Sequence, residues 1–90
     1  MKFHIFGLSR IFYNMNLSQI KNGESVAIIQ VVTEENIKQR LKMLDVCPGS
    51  KVTVVRRSLF GGSLLLEVNG VRIGLRRELA EQIKVLRKNT

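Results

Sequence analysis

Ninety residues with a single cysteine and no tryptophan, 44% of them hydrophobic, describe one small domain with an aliphatic core rather than a disulfide-stapled or disordered chain. A domain of this size buries only about 60% of the surface its unfolded chain exposes, which argues against a large internal active-site cavity. The formal charge of +8 favours acidic partners, whether nucleic acid, an anionic membrane surface or an acidic protein face, and no apolar run is long enough to cross a bilayer as a helix.

Residues 1–14 hold Phe3, Phe6, Phe12 and Tyr13 together with Ile5, Leu8 and Ile11, a composition unlike the rest. They read either as an interfacial helix with Lys2 and Arg10 at its polar edge or as an appendage ahead of a start at Met15. The second reading is preferred, so 1–14 is treated as an N-terminal extension and 15–90 as the domain. Arg10 interrupts the apolar stretch and no small-residue cleavage pattern follows, which excludes a signal peptide. Leu17 and Ile20, three apart, suit one turn that plugs the end of a core, and Asn22-Gly23 marks a turn.

From Ser25 to Val32 the run is β-branched and apolar on both faces, as in a central strand. Thr33 is the expected N-cap of the helix that follows, with Glu34 and Glu35 in its first turn and Lys38, Arg40 and Lys42 toward its end, a charge order that complements the helix dipole. Ile37, Leu41 and Leu44 fall at i, i+4 and i+7, so Leu41 and Leu44 are expected to seat this helix on the core. Asp45 stands where a left-handed residue ends such a helix, and Pro48-Gly49 turns the chain into a strand from Lys51 to Arg57.

Ser58-Leu59-Phe60-Gly61-Gly62 is a hairpin loop with an exposed aromatic, not a phosphate loop, since no Gly-Lys-Ser/Thr follows. Around Asn69-Gly70 a type I′ hairpin is expected, with Val68 opposite Val71, Leu66 opposite Ile73, Leu64 opposite Leu75, and Glu67 opposite Arg72 on the other face. Residues 77–82 make a helical turn, Ile83 to Leu86 a final strand, and 87–90 fray. The fold class is mainly β: a small five-stranded barrel with one α-helix between strands one and two and a short helical turn before the last.

Four pieces, in order, carry a family likeness: Leu17-Ser18-Gln19-Ile20-Lys21-Asn22-Gly23-Glu24; Arg40-Leu41 with Leu44 and Pro48-Gly49; Val52-Val54-Arg56; and Gly70-Val71-Arg72-Ile73-Gly74-Leu75-Arg76 leading into Ala80 and Ile83-Val85. Through them the segment from Met15 to Leu86 resembles FeoA, the small partner of the bacterial ferrous-iron transporter FeoB, whose fold is an SH3-like barrel. The same module ends iron-dependent repressors of the DtxR type. Two departures are Asp45, where the family usually has glycine, and Leu59-Phe60-Gly61-Gly62, where it often has a proline.

The resemblance implies a cytoplasmic accessory protein of iron uptake, peripheral to the inner membrane through its partner. It docks onto the GTP-binding cytosolic part of FeoB and modulates transport. The expected contact residues are Met43, Val46 and Cys47 at the helix exit and the outward arginines Arg56, Arg72, Arg76 and Arg77. No catalytic residue is expected, since the one histidine, His4, lies in the extension and no nucleophile stands beside a base in sequence. No metal ligand is assigned either; transition-metal binding, for example of Fe2+, enters through the family alone, because Cys47 is solitary and Glu34 and Glu35 serve the helix start. Weak homo-oligomerisation is compatible with this reading. The alternative is a small basic β-barrel that binds RNA or another nucleic acid, which the single aromatic within 15–90, Phe60, disfavours.

Overall fold

Period-two alternation builds most of the molecule. The computed structural model describes residues 12–88. Its strands are β1 (Phe12–Asn16), β2 (Ser25–Val31), β3 (Lys51–Arg57), β4 (Ser63–Val68), β5 (Val71–Arg76) and β6 (Ile83–Lys88). They form one antiparallel sheet in the order β1-β6-β2-β3-β4-β5. Helix α1 spans Glu35–Met43 between β2 and β3, helix α2 spans Arg77–Ala80 between β5 and β6, and a 3₁₀ turn covers Leu17–Gln19. The sheet folds over one core but is not closed by hydrogen bonds, so β1 and β5 are its edges.

Among the described residues six strands stand where five are expected. The addition, β1, pairs with β6 from Phe12↔Lys88 to Asn16↔Lys84 and ends where Asn16 caps the 3₁₀ turn. Asn16 accepts from the Ser18 amide (2.9 Å) while its own amide donates to the Gln19 side chain (2.9 Å), a reciprocal cap that fixes the corner. With β1 as neighbour, β6 runs on to Lys88 instead of fraying at Arg87. Residues 12–14 of the expected extension pair in the sheet, while residues 1–11, including His4, and residues 89–90 lie outside the described residues.

A bulge makes β2 differ from the expected strand apolar on both faces. Register shifts between Ile28 and Gln30, so Ile28 and Val31 are both buried although three apart, and Ile29 faces outward. The continuous apolar run is thus a one-sided strand with an inserted residue, not a strand buried on both faces. A second shift lies between Val54 and Arg56 in β3. Bulges raise local twist and bend a strand, which lets a short sheet curl around its own core. That core takes Leu17 and Ile20 from the 3₁₀ corner, Val26 and Ile28 from β2, Val52 and Val54 from β3, Leu64, Leu66 and Val68 from β4, and Ile83 and Val85 from β6.

The hairpin β4–β5 has the expected register throughout, Leu64↔Leu75, Leu66↔Ile73, Glu67↔Arg72 and Val68↔Val71. Asn69 and Gly70 both take positive φ (51° and 80°), as a type I′ turn requires. The corner after α1 is stitched to β2: the Gly49 amide donates to the Ile28 carbonyl and the Ile28 amide donates to the Ser50 carbonyl, both at 2.8 Å. Gly49 adopts φ 94° there, a conformation side-chain-bearing residues avoid.

Candidate docking surface at the helix exit

Helix α1 begins one residue later than its expected cap. Glu34, not Thr33, is the N-cap residue, and it makes no side-chain capping bond. Its carbonyl accepts from the Lys38 amide, so the start rests on backbone bonding and on Glu35 in the first turn. The other end is tightly specified. Leu44 is the C-cap and Asp45, at φ 65°, is the left-handed residue after it. The Asp45 amide donates to the Lys42 carbonyl (2.9 Å) and the Val46 amide donates to the Leu41 carbonyl (2.8 Å). This is the Schellman pair of bonds, and the hydrophobic contact that accompanies it joins the residue after the left-handed one to the residue whose carbonyl it caps. Here those are Val46 and Leu41, both buried.

That motif corrects two assignments. Val46, expected to face a partner, is 1% exposed and belongs to the core. Leu44, expected to seat the helix, is 46% exposed, because the helix stops at Met43 and its periodicity no longer governs the next residue. Leu41, and Ile37 in part, carry the packing alone. Met43 does point outward, with 83% of its surface exposed.

Asp45 also ties the helix exit to the far hairpin. Its carboxylate accepts from the Asn69 side-chain amide at 2.9 Å. Two residues in left-handed conformation, 24 apart in sequence, thereby brace each other. On one side of this bond lie Met43 and Leu44, and on the other lies Val71, 57% exposed, followed by Arg72. Large apolar side chains exposed next to both ends of one hydrogen bond, with the exposed cations Arg40, Lys42 and Arg72 beside them in the chain, have the composition of an interaction patch rather than of an ordinary solvated face.

The remaining expected residues divide. Arg72 lies 3.8 Å from Glu67, both largely exposed, an ion pair of small energetic weight. Arg76 and Arg77 sit at the opposite end of β5, where Arg76 is opposite Ser63 and the Arg77 amide donates to the Gly62 carbonyl. Arg56, on β3, belongs with them through its pairing with Leu65. The arginines therefore form two groups, separated along β5 by roughly 13 Å at about 3.3 Å per residue. Cys47 is half-buried, lining an open groove of about 240 Å³ between α1 and the end of β2 with Gln30, Lys38, Gln39 and Pro48. Its thiol is 3.4 Å from the Ser50 hydroxyl.

A resident metal does not suit these residues. Among the described residues no three of His, Cys, Asp and Glu converge. Asp45 is engaged by Asn69 and Cys47 meets only a hydroxyl, whereas zinc or iron would ask for several such donors in one shell. No described helix is long and apolar enough to cross a membrane.

Residues 15–87 match the model of the FeoA domain. The chain belongs to the FeoA family. No curated protein sequence matches it significantly. Among solved structures it is similar to the FeoA protein of Chlorobium tepidum, with 32% identity and a TM-score of 0.76 over 79% of this chain and 68% of that one. A crystal structure described as an iron uptake regulatory protein (FeoA) aligns over 81% of this chain and 95% of that one, at 23% identity and TM-score 0.71. A manganese-dependent transcriptional repressor matches over 80% of this chain but only 40% of its own, at 15% identity and TM-score 0.71, and shares the fold alone. The architecture is thus the mainly β, SH3-like FeoA fold. FeoA membership implies a role in ferrous-iron transport systems.

Proposed function

We propose that this FeoA-family chain is an accessory protein that docks onto the cytosolic GTP-binding domain of FeoB and modulates ferrous-iron transport. It works in the cytoplasm, held at the inner membrane by that partner, and iron is the partner's cargo rather than its own ligand. The observation that carries this reading is the apolar patch of Met43, Leu44 and Val71, fixed on both sides of the Asp45–Asn69 hydrogen bond. Such a patch is preorganised: the Schellman exit and the type I′ turn hold its backbone before any partner arrives, which lowers the ordering cost of association. Arg72 at its edge supplies the charge that steers encounter with an acidic face.

The test is calorimetric titration of the FeoB cytosolic domain with the wild-type chain and with Met43→Asp/Val71→Asp. The double variant is expected to lose tenfold or more in affinity, the loss of a site worth at least ~1.4 kcal/mol, with its melting temperature little changed because both side chains are exposed. Undiminished affinity in the double variant overturns the proposed surface. Failure of the wild-type chain to bind overturns the docking itself.

A further inference from the structure

The end of the molecule away from the helix exit carries a second exposed apolar feature. Leu59 and Phe60, adjacent at the tip of the β3–β4 loop, are 89% and 91% exposed. The loop is a bonded turn: the Ser58 amide donates to the Ser63 carbonyl (2.9 Å) and the Gly61 amide to the Ser58 carbonyl (3.0 Å). The two side chains project from a convex tip, unlike residues that line a groove. Arginines gather at its base. Arg56 and Arg57 end β3 opposite Leu65 and Leu64, Arg76 lies opposite Ser63, and Arg77 is bonded through its amide to Gly62.

Of these, Arg57 donates to the Ile20 carbonyl and Arg77 stands 3.9 Å from Glu81. Arg56 and Arg76 are exposed and have no ion-pair partner among the described residues. Glu78 and Glu81, on and just after α2, are the acidic residues nearest in sequence, so cations predominate at the loop base.

We propose that this loop is a membrane-anchoring tip, with Leu59 and Phe60 entering the interface of an anionic lipid bilayer while Arg56 and Arg76 lie against its phosphates. Dimensions agree. The tip extends at most roughly 10 Å past the last paired residues, Arg57 and Leu64, at ~3.3 Å per residue, and an interfacial apolar segment sits about 5–10 Å deep. Each arginine brought to an anionic surface raises partitioning about fivefold. A convex tip with one aromatic does not offer successive bases a stacking platform, so a bilayer suits it better than single-stranded RNA. This inference does not rest on FeoB docking, and the two surfaces lie at opposite ends of β5.

The experiment uses the full chain and vesicles of phosphatidylcholine with and without phosphatidylglycerol. Because the chain has no tryptophan, Phe60→Trp installs a single reporter at the tip. Its emission is expected to shift to the blue with phosphatidylglycerol vesicles and to stay unshifted with phosphatidylcholine alone. In sedimentation, Leu59→Ser/Phe60→Ser is expected to lower vesicle binding about tenfold or more, and Arg56→Gln/Arg76→Gln to lower it by more than about tenfold. Unshifted emission with both vesicles overturns the proposal. So does full retention of binding by Leu59→Ser/Phe60→Ser, which assigns membrane affinity to another segment such as residues 1–14. A blue shift with the FeoB cytosolic domain and none with vesicles makes the tip a protein contact and also overturns it.

Discussion

Asp45 does the work of a glycine while keeping a carboxylate that glycine lacks. A left-handed conformation costs an L-residue roughly 1–2 kcal/mol, less for Asp than for most, and a hydrogen bond to Asn69 returns a part of that. Substitution should separate the two contributions. Asp45→Ala, which keeps a Cβ and loses the bond, is expected to destabilise the fold by about 1–2 kcal/mol in chemical denaturation. Asp45→Gly, which loses the bond but relieves the backbone, should stay within about 1 kcal/mol of wild type. Equal losses in both variants would show that the Asn69 bond, not the backbone, dominates. In the core, Leu66 is fully buried, and Leu66→Ala should cost about 2–5 kcal/mol, a large share of what a domain of this size has. The left-handed exit was legible in the sequence, but helical periodicity carries no information on Val46, which lies beyond it. Counting on from Asp45 in the capping motif places Val46 inward, while helical phase wrongly extends to Leu44.

At the level of elements, what could be read depended on whether a segment's signals were local. The β4–β5 hairpin was legible down to its pairs because Asn69-Gly70 sets the turn and the alternation sets the register. Helix α1 was legible in place and direction, though Glu34 rather than Thr33 begins it. The edge strand β1 was not, since its partner among the described residues, β6, is some seventy residues away and its composition resembles an appendage. The bulge at Ile29 was hidden for a related reason: an inserted residue in an apolar run leaves no mark in the pattern. Because Phe12, Tyr13 and Asn14 pair with β6, removing residues 1–14 is expected to lower the melting temperature by at least about 4 °C, which corresponds to roughly 1 kcal/mol in a domain this small. An unchanged melting temperature would mean that those pairs add nothing and that the domain begins at Met15.

For the molecule as a whole, the sequence conveyed a basic, mainly β module, and the order of its motifs conveyed the family. It did not convey how the exposed groups are shared out. That depends on the Asp45–Asn69 bond and on the strand order, both of which join residues far apart in the chain. The result is a surface with two ends: Met43, Leu44, Val71 and Arg72 at the helix exit, and Leu59, Phe60, Arg56, Arg76 and Arg77 around the β3–β4 loop. Charge reversal at the two ends should therefore have unequal effects. Arg72→Glu is expected to weaken FeoB binding severalfold and to flatten its salt dependence, whereas Arg76→Glu should leave that binding within about twofold while reducing retention on anionic vesicles. Affinity measurements for both variants against both targets check this division.

Under the proposed docking, the helix exit and the β4–β5 turn together form the face that meets FeoB. Mapping amide shifts of the isotope-labelled chain during titration with the FeoB cytosolic domain tests it most directly. Perturbations concentrated at residues 43–47 and 69–72 are the predicted result. Perturbations confined to β1, the β3–β4 loop or the 3₁₀ corner, with 43–47 and 69–72 unmoved, would contradict it.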